Sequence, residues 1–196
     1  LKPWIEPVFP FWSMGAAPYL YSRFFTDWFR YQRLPNAEPL RVRDSYPHLF
    51  DAVRLTPYDS HYLYQAVWAM ERIASCRPEL HVDVGSDVGF VGMLTTHVPT
   101  LFVDIRPLTA KLPRFNPVAG SLLALPFAND AANSMSCLHV AEHIGLGRYG
   151  DPLDPQGTRK AARELARVLA RRGNLFFSAP VGRPRVCFNA HRVHSP

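Results

Sequence analysis

His81-Val-Asp-Val-Gly-Ser-Asp-Val-Gly-Phe-Val-Gly92 is the stretch that decides the fold. Val82 and Val84 flank Asp83 as a short buried strand would place them. Gly85, Gly89 and Gly92 then break the run, and apolar residues resume through Met93 and Leu94. The pattern is a strand, a glycine-bearing turn and a helix start. Glycines let a backbone approach a ligand, and a helix start offers free N–H groups. The spacing is not the dinucleotide fingerprint G-x-G-x-x-G. Counted from Gly85, Asp87 and Phe90 stand where its second and third glycines belong. A tight strand-to-helix turn without a ligand is the plainer reading of the same residues.

Working outward, Thr56-Pro57-Tyr58-Asp59 predicts a helix start with Thr56 as N-cap. Leu63, Ala66, Val67, Met70, Ile73 and Ala74 then recur at helical spacing as far as Cys76. Downstream, a helix is expected from Phe90 to about His97 and a second strand from Thr100 to Asp104. An acidic residue at the tip of that strand is placed to accept the hydroxyl hydrogens of a ribose. Pro107 to Pro117 reads as irregular. Further strands are expected near residues 118–122, 134–139 and 174–179. A helix capped by Asp154 is expected to run to about Arg172, ended by Gly173, with Ala161, Leu165, Val168 and Leu169 buried. Strands alternating with helices imply an α/β fold, an open doubly wound parallel sheet. Ligands sit at the carboxyl ends of such strands, where Asp83, Gly85, Asp104, Ser121 and His139 fall.

Two domains are expected: an extension over residues 1–55 and the α/β domain over residues 56–196. The extension crowds aromatics (Trp4, Phe9, Phe11, Trp12 among them) with Pro3, Pro7, Pro10 and Pro18. A short helix fits residues 22–34. The segment reads as an arm packed on the main domain, or as peripheral membrane contact through residues 1–30. Hydrophobic content of 47% and charged content of 19% describe a globular chain. The net charge of +6 comes without a dense basic run or a nucleic-acid module, which argues against nucleic acid. Cys76, Cys137 and Cys187 are widely spaced and read as reduced thiols of a cytoplasmic protein. The chain opens at Leu1 without a Met, and a fragment is expected.

Residues 80–180 resemble a class I S-adenosylmethionine-dependent methyltransferase domain. His81-Val-Asp-Val-Gly-Ser is similar to its first motif and Val103-Asp-Ile to its second. Leu123-Ala-Leu-Pro-Phe, His139-Val-Ala-Glu-His and Arg167-Val-Leu-Ala-Arg-Arg-Gly-Asn-Leu look like its later segments. More narrowly, Val103-Asp-Ile-Arg-Pro-Leu, Cys137-Leu-His-Val-Ala-Glu-His-Ile-Gly-Leu-Gly-Arg-Tyr-Gly-Asp and Phe188-Asn-Ala-His-Arg resemble the family DUF268 over about residues 57–196. The resemblance implies a Rossmann-like sheet of order 3-2-1-4-5, with the last two strands of the full fold missing. It implies S-adenosyl-L-methionine as cofactor. Asp83, Gly85 and Ser86 would face its methionine part, with Gly89 in the same loop. Asp104 and Ile105 would meet the ribose side, Ser121 and Leu122 the adenine, and His139 the methionine carboxylate or the substrate. Asp87 stands in place of a motif glycine, where its charge would repel the cofactor carboxylate. Ser121 stands where an Asp is frequent.

Methyl transfer to a hydroxyl or amine needs a base. His139, Glu142 and His143 are the candidates, with His191 behind them. The expected acceptor is a small molecule or glycan. Glu142-His143 also reads as a structural pair at a helix start. His139-Val-Ala-Glu-His143 matches the inverted zinc pattern H-x-x-E-H, but it begins at a strand end and meets glycines at once, so no metal is expected. The rival to an enzyme is a methyltransferase-like module that binds a partner or membrane without catalysis.

Overall fold

The computed structural model describes residues 15–196. Two compact units meet in sequence between Tyr58 and Asp59. In the first, α1 (Ala17–Gln32) carries exposed Tyr19, Phe29 and Tyr31. It begins five residues before the expected Ser22, because Pro18 sits in its first turn, where a missing N–H costs nothing. A short 3-10 turn follows at Val42–Asp44. The Tyr31 hydroxyl donates to Glu38. The aromatic and proline cluster before Gly15, and the membrane contact expected of it, lie outside the described residues. Among the described residues no helix is long and apolar enough to cross a membrane.

The second unit is a parallel sheet of five strands in the order β3-β2-β1-β4-β5, as expected. The strands are β1 (His81–Val84), β2 (Thr100–Asp104), β3 (Phe115–Ala119), β4 (Ala132–Leu138) and β5 (Leu169–Ser178). An antiparallel hairpin of β6 (Arg185–Cys187) and β7 (His191–Val193) follows. One face packs α2 (Ser60–Cys76) and α3 (Val88–Leu94): Ala69, Ile73, Phe90, Val91 and Leu94 meet Phe102, Phe115 and Phe176. The other packs α4 (Gly157–Val168): Ala161, Leu165 and Val168 meet Val82, Val84, Val103, Met135 and Cys137. Period-two alternation sends Val82 and Val84 to the α4 face. It leaves His81 and Asp83 on the face of α2 and α3.

Those two residues are fully buried and lie in a polar seam between β1 and β4. His81 Nδ1 meets Ser134 Oγ at 2.7 Å and His81 Nε2 meets Ser136 Oγ at 2.8 Å. The Ser136 hydroxyl donates to Asp83 Oδ2. With that proton committed, Ser136 accepts from His81 Nε2–H, and His81 Nδ1 accepts from Ser134. Asp83 Oδ1 takes the Ser86 N–H at 3.0 Å, and Ser86 Oγ takes the Leu138 N–H at 3.1 Å. The seam thereby ties the glycine turn to the end of β4.

Several element ends differ from expectation. Asp59, not Thr56, caps α2, accepting from the N–H groups of His61 and Tyr62. Its buried residues are Ala69 and Ile73, while Leu63 and Val67 are exposed. The helix expected over 90–97 spans Val88–Leu94, because Asp87 caps it and the Thr95 and Thr96 hydroxyls bond back to the Gly92 and Met93 carbonyls. The third strand is Phe115–Ala119, not 118–122: Pro117 is tolerated because β3 is an edge strand. α4 stops at Val168, where Leu169 pairs with Ala132 and the chain enters β5. Gly173 lies inside that strand, its missing Cβ making room for the Ala132 carbonyl. Arg167 explains why two distant motifs go together: its guanidinium donates to the Leu125 and Phe127 carbonyls and to Glu164, which also accepts the Leu125 N–H.

Burial pushes the Asp83 carboxyl up to about 6 from 3.8, although hydrogen bonds from Ser136 and Ser86 lower it. Burial pushes His81 down to about 4 from 6.5. Protonated Asp83 favours folding below about pH 4, and that contribution is lost as pH rises through about 6. Neutral His81 favours folding above about pH 6.5, and that contribution is lost as pH falls through about 4. Each is worth about 3 kcal/mol, and they offset one another in this window. Unfolding free energies from urea titrations are expected to fall between pH 4 and 6 in His81→Gln and to rise over the same range in Asp83→Asn. Parallel profiles in the two variants would contradict the assignment.

Candidate functional site

The carboxyl ends of β1, β2 and β4 open onto two adjoining cavities. One of about 540 Å³ is lined by Gly85, Asp104, Ile105, Ser121, Leu122 and His139, with Val140, Ile144 and Tyr149 on its far side. One of about 430 Å³ is lined by Tyr62, Ser86, Asp87, Arg106, His139, His143, Arg148 and Tyr149, and shares Gly85 and Asp104. Both lie within the range of small-ligand sites.

Gly85 makes the turn. Its φ is +70, and a Cβ there would stand 3.0 Å from Val140 Cγ1, so an L side chain is opposed by backbone and space alike. From the same position Asp104 Oδ2 is 3.8 Å away. Asp104 is 19% exposed at the side chain, and its Oδ1 accepts the Arg106 N–H at 2.6 Å. Its other oxygen is thereby aimed across the mouth of the turn.

Sequence-predicted residues separate into walls and supports. Gly85, Ser86, Asp104, Ile105, Ser121, Leu122, His139 and His143 stand on cavity walls. Asp83 does not: it is buried beneath the turn, both oxygens engaged by Ser86 and Ser136, so it positions the loop and does not face a ligand. Gly89 lies inside α3, its N–H held by Asp87 Oδ1 at 2.9 Å. Asp87 Oδ1 also takes the Phe90 N–H at 3.1 Å. The free N–H groups expected at this helix start are therefore partly satisfied internally, and Asp87 acts as an N-cap rather than only as a repelling charge. Ser121 accepts the Leu123 N–H at 3.1 Å, shaping the turn beside the larger cavity.

His139 is placed by strain and by hydrogen bonds. Its φ of +53 turns the chain sharply after β4, and its N–H reaches both the carbonyl and the hydroxyl of Ser178. Its Nδ1 meets Glu142 Oε1 at 2.7 Å, and its Nε2 contacts His61 Nε2. Glu142 is 1% exposed, and its Oε2 is buried with no hydrogen-bond partner among the described residues. Glu142 therefore faces inward to His139 rather than onto a cavity wall. His143 donates from Nδ1 to the Ala190 carbonyl, which anchors the tail. His191 stands 6.4 Å away, ring centre to ring centre. Among the described residues no group of three or more His, Cys, Asp or Glu side chains is arranged to hold a metal ion.

Four residues on these walls were not marked as site residues by the sequence, although three of them fall inside the runs quoted above. Arg106 and Arg148 stack on Tyr149 at 4.4 and 5.0 Å. Tyr62 reaches the smaller cavity from α2. The signal for Arg148 and Tyr149 was the glycine spacing at Gly145, Gly147 and Gly150, which marks a compact loop and not a slack one; Arg106 directly follows the Val103-Asp-Ile run. Gly145 has φ +81, and a Cβ there would fall 2.2 Å from the Asp154 carbonyl oxygen. Arg192 braces the same loop, donating to the Ile144 and Asp154 carbonyls and to the Thr158 hydroxyl.

A family model described as "Caenorhabditis protein of unknown function, DUF268" matches residues 122–196. The resemblance read from sequence reached back to residue 57. No curated protein matches the chain. Among solved structures, a chain of the complex formed by the Haloferax volcanii Trm112 methyltransferase activator is 16% identical, with a TM-score of 0.42 over 65% of this chain and 63% of that one. This chain thus spans a little under two thirds of that structure. The Burkholderia thailandensis 1,6-didemethyltoxoflavin-N1-methyltransferase, solved with 1,6-didemethyltoxoflavin and S-adenosylhomocysteine, is 13% identical, with a TM-score of 0.45 over 73% and 76% of the two chains.

Replacing Asp87 separates cap from charge. Asp87→Ala is expected to cost about 1 kcal/mol of stability and Asp87→Gly a few tenths, read from the shift in urea midpoint. Equal stability of Asp87→Ala and the parent would remove the capping role.

Proposed function

We propose that this chain, which carries the DUF268 sequence pattern over residues 122–196, binds S-adenosyl-L-methionine in the paired cavities and transfers its methyl group to a small-molecule or glycan-type acceptor. One observation carries the reading. Asp104, at the tip of β2, aims a carboxylate oxygen at the glycine turn after β1, on the wall of a cavity closed by Ile105, Ser121 and Leu122. A carboxylate there suits the two hydroxyls of a ribose, and the apolar slot beyond suits a purine.

Each residue group has a definite task in this reading. Asp104 would hold the ribose. Ile105 and Leu122 would sandwich the base, with Ser121 at its edge. Gly85 and Ser86 would let the amino-acid end pass close to the backbone, and the Arg106–Tyr149–Arg148 stack would offer positive charge near its carboxylate. When bound, S-adenosyl-L-methionine supplies an electrophilic methyl group. The chain supplies orientation, exclusion of water and a base.

Calorimetric titration with S-adenosylmethionine and S-adenosylhomocysteine tests the reading. Both are expected to bind, and Asp104→Ala is expected to weaken both by about 1–3 kcal/mol by removing charge-assisted hydrogen bonds. No heat with either ligand in the folded chain would overturn it and favour the non-catalytic binding module.

A further inference from the structure

We propose that His61, on α2, is the proton-accepting residue of the site, at the outer end of a relay that runs Glu142–His139–His61. The proposal rests on the methyl-transfer reading above and adds a residue that no motif marks. The links are geometric. Glu142 Oε1 meets His139 Nδ1 at 2.7 Å, and His139 Nε2 contacts His61 Nε2, the rings edge to face with centres 4.4 Å apart.

As a carboxylate, Glu142 only accepts, so His139 carries its proton on Nδ1. Neutral His139 then presents a lone pair at Nε2. His61 must answer with Nε2–H, which leaves its own Nδ1 unprotonated. Glu142 thus fixes the tautomers of both imidazoles. Its second oxygen is buried without a partner among the described residues, an arrangement costly for stability and out of place in a residue that only caps a turn.

The two histidines share one cavity wall, and His139 links it to the cofactor cavities. His139 belongs to the walls of both cofactor cavities and of a third cavity of about 620 Å³, which His61 shares with Arg185 and His191. Among the described residues no carboxylate lines that third cavity, so it suits a neutral or anionic acceptor bearing a hydroxyl or N–H. In the transfer the acceptor oxygen or nitrogen forms its bond to the methyl carbon as the carbon–sulfur bond breaks. The sulfur keeps the electron pair and leaves as a neutral thioether. The acceptor's proton passes to His61 Nδ1, and His61 Nε2–H passes to His139 Nε2. The charge comes to rest on His139 beside Glu142, where side-chain exposures of 10% and 1% leave little screening.

Histidine-labelled full chain, observed by long-range proton–nitrogen NMR with His61→Gln and His139→Gln for assignment, tests the relay without an acceptor. At pH 8 the expected spectrum shows His139 protonated at Nδ1 and His61 at Nε2. In Glu142→Gln, whose amide can donate as well as accept, His139 is expected to lose its preference for Nδ1–H and His61 its preference for Nε2–H. The other groups around the pair are Tyr62, His143, Arg148, Arg185 and His191, and Arg185→Gln is expected to leave both tautomers in place. His139 protonated at Nε2, or His61 protonated at Nδ1, overturns the relay. Calorimetry with S-adenosylhomocysteine on the same samples separates the two readings: binding with the opposite tautomers removes the relay alone, whereas the expected tautomers without binding remove methyl transfer and the relay's use with it.

Discussion

A buried carboxylate that must be hydrogen-bonded from every side governs the centre of this domain. Asp83 lies where β1, β4 and the glycine turn converge, out of reach of water. An ionisable group is expensive there unless its oxygens are answered. Ser136 answers from the neighbouring strand and Ser86 from the turn. Because Ser86 also accepts the Leu138 N–H, satisfying Asp83 fixes the spacing between the turn after β1 and the end of β4. His139 follows Leu138 directly, so the position of the candidate base is set by the same hydrogen bonds that neutralise a buried charge.

The seam has a polarity. With Asp83 ionised, every hydroxyl and imidazole proton points toward it. With Asp83 protonated, the whole series can reverse without losing a bond, since Ser134, His81 and Ser136 each both donate and accept. A seam of apolar residues would not couple β1 to β4 in this directional way. The offsetting ionisation preferences of Asp83 and His81 let a polar centre exist without making the fold depend steeply on pH between about 4 and 6.

The roof of the site is organised by different means. The loop from Gly145 to Gly157 folds backbone against backbone, with the Gly145 and Gly157 Cα positions pressed against the Asp154 and Ile144 carbonyls. Arg192, near the chain's end, donates to those two carbonyls. His143 holds the Ala190 carbonyl from below. The tail and the loop therefore stand or fall together, and the loop carries Arg148 and Tyr149, which Arg106 meets from the end of β2.

The sequence by itself determined the alternation of strands and helices and the turn at Gly85, because period-two and period-3.6 patterns and glycine spacing are local properties with local causes; the strand order was implied by the resemblance of its motifs. It also marked Asp104, Ser121 and His139 as strand-end residues, and each lies on a cavity wall. It misplaced the starts of α2 and β3 and the end of α4, where capping by Asp59, an edge position and pairing with Ala132 override local preference. Only the tertiary structure decided which polar residues turn inward. Asp83 and His139 both sit at strand ends in an apolar context, yet one is drawn under the turn by two serines and the other is swung out by a left-handed backbone. His61 lies on a helix whose periodicity says only that it faces away from the core. That it meets His139, 78 residues further along the chain, follows from the packing of α2 on one face of the sheet with its first turns beside His139 and Ser178, and such long-range contact leaves no mark in local sequence.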